Sequence, residues 1–159
     1  AHSAEAKVTV LDLPQQIAMM RENIDGKPGA DRISGYGINL LDATQDFPVA
    51  ADGPDAIWMS QFLDCFSMDQ IVGILRRARK AMKDNTRIYI METLWDRQKY
   101  EPATLCLTLT SLYFAAMANG NSKMYNTEDM EHCITEPGLT VEAIHDHLGQ
   151  GHSIIVVRK

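Results

Sequence analysis

Short apolar runs of strand length alternate with segments whose apolar residues recur at helical spacing, and this alternation restricts the fold more than any single residue does. The first run, "KVTVLDLP", holds a strand over Val8 to Leu11 and closes on an aspartate and a proline. "PQQIAMMRENIDG" follows, opened by proline and closed by glycine, with Ile17, Met20 and Ile24 on one helical face. "RISGYGINLL" is a weaker strand, because Gly35 and Gly37 interrupt it and mark either a close backbone approach or a bend. "TQDFPVAADGP" has the prolines and glycine of a loop, and "DAIWMSQF" returns to strand.

Ser67 with Gln70 three residues on forms a capping box, after which Ile71, Ile74, Leu75, Ala78 and Met82 line one face of a helix. Arg76, Arg77, Arg79, Lys80 and Lys83 read as its solvated face and basic last turn. "TRIYIMETLW" is the next strand, and the apolar stretch from Ala103 to Ala118 reads as a buried helix. "NGNSKMYN" breaks that pattern. A short helix from about Thr127 to Glu136 precedes two closing strands, "LTVEAIH" and "HSIIVVRK", around the turn "LGQG". This order implies an α/β fold in one domain: a mostly parallel sheet with helices on both faces and one antiparallel strand near an edge.

Composition closes off several classes of function. The chain has 159 residues, 45% of them apolar, enough for a real core. Its 21 acidic against 15 basic residues give a net charge of -6, so nucleic acid has no electrostatic footprint to bind. No apolar segment approaches the roughly 20 residues that span a bilayer, and the first residues lack a signal-peptide pattern, which together read as a cytoplasmic protein with no membrane partner. Cys65, Cys106 and Cys133 are odd in number and widely spaced, which argues against a disulfide framework and a metal site.

Ligands in such sheets collect at the carboxyl ends of the strands. The residues there are Asp12, Asn39, Ser60 to Asp64, and Glu92 to Trp95. A carboxylate at the position of Asp12 accepts hydrogen bonds from both hydroxyls of a ribose, or caps the helix that begins at Pro14; alone, the residue leaves both readings open. The four histidines from His132 onward, His132, His145, His147 and His152, read as structural.

Taken together, "VTVLDLP", "RISGYGINLL", "DAIWMSQFLDCFSMDQIVGILRRARKAM", "RIYIMETLW" and "NGNSKMYNTEDMEHCITEPGL" resemble the class I S-adenosylmethionine-dependent O-methyltransferases of plants and bacteria. The resemblance implies a Rossmann-like methyltransferase sheet ending in an antiparallel hairpin. It implies S-adenosylmethionine as cofactor, held by Asp12, Leu13, Asn39, Leu40, Ser60 and Gln61, and a small aromatic hydroxyl compound as methyl acceptor. Asn39 replaces the family's usual aspartate, and Ser60 stands where plant members often carry lysine. Asp64-Cys65 occupies the place of the family's histidine-aspartate, so Asp64 is the candidate base, with Glu92 as its supporting carboxylate; a second supporting acid falls near Met124 and is absent. An ordinary phenol titrates near pH 10 and aspartate near 4, so two roles stand open for Asp64: a base raised by burial beside Phe62, Phe66 and Trp95, or a group that only orients the hydroxyl while alignment to the methyl supplies the rate. Acceptor contacts are expected from Phe62, Trp95, Tyr113, Met117 and Met124.

The family's first strand, its glycine-rich loop and the N-terminal domain that builds its homodimer precede the position of Val8. The expectation is therefore a C-terminal fragment, residues 1–159 forming part of a catalytic domain with a gap in the middle of its sheet. Two other readings stand beside the enzyme: a related module that has lost catalysis and serves binding or dimerisation, and a nicotinamide-dependent oxidoreductase using Asp12 for the ribose.

Overall fold

The computed structural model describes residues 5–48, 53–117 and 120–159. Contacts divide the chain into two compact units, Ala1–Pro48 and Val49–Lys159.

In the first unit, strand β1 (Val8–Asp12) runs into helix α1 (Pro14–Ile24), and strand β2 (Ile33–Gly37) returns parallel to β1, pairing Val8 with Ile33 and Asp12 with Gly37. Proline at the first helical position starts α1 without loss, because an amide there has no helical partner. The two strand glycines turn out to mark a close approach. A Cβ on Gly35 would lie 2.5 Å from Ile17 Cγ2, and one on Gly37 would lie 3.2 Å from Pro14 Cα, so α1 sits directly on β2. Ile17, Ile38 and Phe47 form the buried apolar set of this unit. The loop beyond it has no regular structure where described, and residues 49–52 lie outside the described residues.

The second unit carries a four-stranded sheet in the order β3-β4-β6-β5, formed by β3 (Ala56–Ser60), β4 (Arg87–Glu92), β5 (Thr140–Leu148) and β6 (His152–Arg158). β3 and β4 are parallel, whereas β6 runs against both its neighbours, which makes it the one reversed strand and places it next to the β5 edge. Alternation along the strands buries Met59, Ile88, Ile90, Glu92, Ser153, Ile155 and Val157 on one face. The other face, with Trp58 and Tyr89, is partly open. β1–β2 forms a separate two-stranded sheet, so neither β1 nor β3 has a second neighbour among the described residues.

Helix α2 (Met68–Ala81) starts with the expected capping box: the Gln70 amide donates to Ser67 Oγ at 3.5 Å, and Gln70 Oε1 accepts from the Ser67 amide at 2.9 Å. Its predicted apolar face is buried in full. Arg77 is a correction, since it is 7% exposed and its Nε donates to the Gly73 carbonyl one turn back, the aliphatic stem lying in the interior while the head satisfies backbone. Helix α4 (Thr127–Thr135) is capped by Asn126 and packs on α2 and β5.

Helix α3 (Glu101–Met117) is the larger correction. The apolar run was expected to be a buried helix, yet none of its described residues is buried; Ala118 lies outside them. Thr104, Leu107 and Ser111 form the half-buried side, and Leu105, Leu109, Leu112, Tyr113 and Met117 are exposed. A run that is apolar all round carries two apolar stripes, and a neighbouring element is needed for each. Among the described residues no helix is long and apolar enough to cross a membrane, and no three His, Cys, Asp or Glu residues gather as metal ligands do.

Candidate functional site

In the first unit the parallel pair β1–β2 brings Asp12, Leu13, Asn39 and Leu40 together at its carboxyl end. The Ile38 amide donates to the Asp12 carbonyl at 2.8 Å, which extends the ladder by one bond and sets Asn39 just beyond it. Leu13, not Asp12, occupies the N-cap of α1, and no side chain caps that helix. Among the described residues Asp12 Oδ1 accepts one hydrogen bond, from the adjacent Leu13 amide at 2.7 Å. The exposed carboxylate thereby keeps its second oxygen for a ligand hydroxyl, beside a groove of about 340 Å³ lined by Val10, Asp12, Gln16, Met20 and Asn23. Asn39 Oδ1 accepts from the Leu41 amide at 3.0 Å, which leaves one lone pair and the amide NH₂ for a base edge.

In the second unit β3 ends at Ser60, and Gln61 follows with φ 44°, a left-handed conformation uncommon for a residue with a Cβ. Its amide donates to the Met91 carbonyl at 2.8 Å, so the strained residue joins the tips of β3 and β4. The chain then makes a single 3-10 turn, Leu63–Cys65. Glu92, the last residue of β4, reaches across to this turn: its Oε1 accepts from the amides of Phe62 at 2.9 Å and Leu63 at 2.8 Å. The two candidate catalytic carboxyls are thus held at one place by adjacent strand ends.

Their surroundings raise both. Burial lifts Asp64 above the ordinary aspartate range, against a weak contact from Cys65 Sγ at 3.5 Å. Glu92 is only 3% exposed, and burial, then the negative charge of Asp64, pushes its carboxyl up to about 7. Its Oε2 is buried and finds no hydrogen-bond partner among the described residues. Cys65 is pushed up to about 11 by burial and by the same aspartate, so its thiol is a poor nucleophile.

Segment 123–125 crosses behind the turn. The Lys123 amide donates to the Asp64 carbonyl at 3.0 Å, the Met124 amide to Ser111 Oγ of α3 at 2.9 Å, and the Trp95 amide to the Tyr125 carbonyl at 3.2 Å. Thr93 Oγ1 donates to Met124 Sδ at 3.3 Å, and Thr104 of α3 donates to the Trp95 carbonyl at 2.9 Å. These bonds tie Trp95 and Met124 to the strap that holds the Asp64 turn, which Phe62 enters. Tyr113 and Met117 are not tied in this way: they lie on the outward stripe of α3, 60% and 71% exposed. Lys123 and Thr104 escaped the sequence reading, since a backbone amide or a helix hydroxyl used as a tether leaves no pattern in the residues.

A family model described as an O-methyltransferase domain matches residues 2–139. The curated O-methyltransferase SfmM3 of Streptomyces lavendulae is 26% identical over 149 residues, covering 92% of this chain and 42% of that protein. Among solved structures, the mitomycin 7-O-methyltransferase MmcR aligns with a TM-score of 0.78 at 23% identity, over 96% of this chain and 43% of its own. PigF, solved with SAH, aligns with a TM-score of 0.77 at 21% identity, over 96% of this chain and 48% of its own. The chain therefore spans less than half the length of these relatives.

Proposed function

Because the chain belongs to the O-methyltransferase domain family, we propose that residues 1–159 supply the C-terminal part of a catalytic domain that methylates a hydroxyl of a small aromatic compound. The family's methyl donor is S-adenosylmethionine, and this assignment takes the place of the nicotinamide reading. When bound, that cofactor supplies an electrophilic methyl group on a sulfonium. Asp12 fits its ribose, having one exposed carboxylate oxygen at a strand tip, and Asn39 with Leu40 fits its adenine. Leu13, Ser60 and Gln61 complete the proposed cofactor residues.

The observation that carries the chemistry is the pair of raised carboxyls at the tips of β3 and β4. Asp64 would accept the hydroxyl proton on a carboxylate oxygen as the acceptor's O–H bond breaks, the transfer itself exchanging the donor's sulfur–methyl bond for the new oxygen–methyl bond and releasing a neutral thioether. Burial makes Asp64 a stronger base than a free aspartate, and the gap to a phenol narrows accordingly. Glu92 fixes the turn through two amides and, protonated below its raised value of about 7, avoids placing a second charge beside Asp64 there. Phe62, Trp95 and Met124 offer apolar and aromatic surface for a flat acceptor, and alignment by that surface contributes rate independently of the base. The same reading includes Tyr113 and Met117 as acceptor contacts, a cytoplasmic location, a homodimer built through an N-terminal domain, and no nucleic-acid or membrane partner.

The test is calorimetric titration of the full-length protein with S-adenosylhomocysteine, followed by transfer of labelled methyl from S-adenosylmethionine to catechol, 4-hydroxycinnamate and a hydroxyflavone. Binding with transfer is the expected result. Absence of binding overturns the proposal. Binding without transfer to any of the three favours the module that has lost catalysis, for which the absent histidine and the Met124 position are the motivating features.

A further inference from the structure

We propose that Tyr125 is a positioning residue whose hydroxyl holds the turn carrying Asp64. This rests on the reading that Asp64 accepts the acceptor's proton. A single 3-10 turn is too short to hold itself, because nucleating one costs more than its few hydrogen bonds return. Its internal bonds are Cys65 N to the Phe62 carbonyl at 3.2 Å and Phe66 N to the Leu63 carbonyl at 3.1 Å. The position of the Asp64 carboxylate is therefore set by what grips the backbone on either side.

Three grips exist. Glu92 takes the entering amides of Phe62 and Leu63, the Lys123 amide donates to the Asp64 carbonyl, and Tyr125 Oη donates to the carbonyl of Phe66 at 2.6 Å, the shortest of the set. Tyr125 is itself immobilised, being 2% exposed, with its carbonyl accepting from the Trp95 amide and the Lys123 ammonium 4.6 Å from its ring centroid. Burial raises its phenol above the usual tyrosine range, so the hydroxyl stays protonated and remains a donor at every working pH. Glu92 and Tyr125 thus close the turn from its two ends, and Phe66, which Tyr125 holds, packs edge-on against Phe62 with centroids 4.9 Å apart. Loss of the hydroxyl frees the exit of the turn and lets Asp64 swing, while the buried ring stays in place.

The experiment is a double-mutant cycle in the full-length enzyme: wild type, Tyr125→Phe, Asp64→Asn and the double variant, assayed with S-adenosylmethionine and the fastest of the three acceptors above. Tyr125→Phe is expected to lower kcat about tenfold, with KM for S-adenosylmethionine within about twofold of wild type and a thermal midpoint within a few degrees. On the Asp64→Asn background the same change is expected to cost less than about twofold, because the group being positioned is gone. An equal loss in both backgrounds, or no loss in kcat, overturns the inference while Asp64→Asn remains slow. If Asp64→Asn turns over as fast as wild type, the base assignment itself fails and the inference falls with it.

Discussion

Glu92 ties one oxygen to two backbone amides and keeps the other buried with no partner among the described residues, so its protonation is coupled to folding. Its folded carboxyl lies near 7 against an ordinary value of 4.5. Between those values the folded state binds more protons than the unfolded chain, and stability falls as pH rises. Glu92→Gln removes that slope. Urea unfolding at pH 4 and pH 8 should show the wild type losing about 3 kcal/mol relative to the glutamine variant between the two; a constant difference would mean that Glu92 titrates normally. Gln61 is a second residue under local constraint. Its left-handed backbone costs about 1 kcal/mol for a side chain with a Cβ, so Gln61→Gly should raise stability by up to that amount in the same assay, whereas Gln61→Val should lower it.

At the level of elements, Ser67→Ala should weaken α2 by about 1 kcal/mol, read as a shift in the urea midpoint without change of slope. Gly35→Ala should cost about 1 to 3 kcal/mol, because the added methyl meets the buried Ile17 side chain at 2.5 Å and pushes α1 off β2. Both positions were legible beforehand, one from the serine and glutamine three apart, the other from a glycine inside a strand pattern. Strand and helix order was legible for the same reason: each element announces its period and its stops locally. What could not be read was burial that depends on neighbours. Arg77 follows the charge pattern of a solvated face yet lies inside, and α3 has the composition of a core helix yet stands exposed. The site shows the same division. Asp12, Asp64 and Glu92 sit at strand tips that follow from element order, while the strap through Lys123, Met124 and Tyr125 is built largely of main-chain bonds to which many side chains are indifferent.

For the whole molecule, the two units differ in how much apolar surface they enclose. Among the described residues the first seals Ile17, Ile38 and Phe47, whereas the second encloses Ile71, Ile74, Leu75, Ile88, Ile90, Met130, Ile155 and Val157 completely. Local opening follows enclosed contacts. Native-state hydrogen exchange should therefore find the amides of Ile88, Ile90, Ile155 and Val157 protected at least about a hundredfold more than those of Val10 and Gly35; equal protection would show that the two units open together. The reversal of β6 has one more effect. Glu92 pairs with Ser153, so the hairpin bend at Leu148–Gly151 emerges beside the carboxyl tip of β4. A Cβ at Gly149 meets no atom within 4 Å. Inserted residues have room there to extend past the carboxyl tip of β4 without recutting the sheet, provided that Gly149, at φ 56°, keeps its glycine.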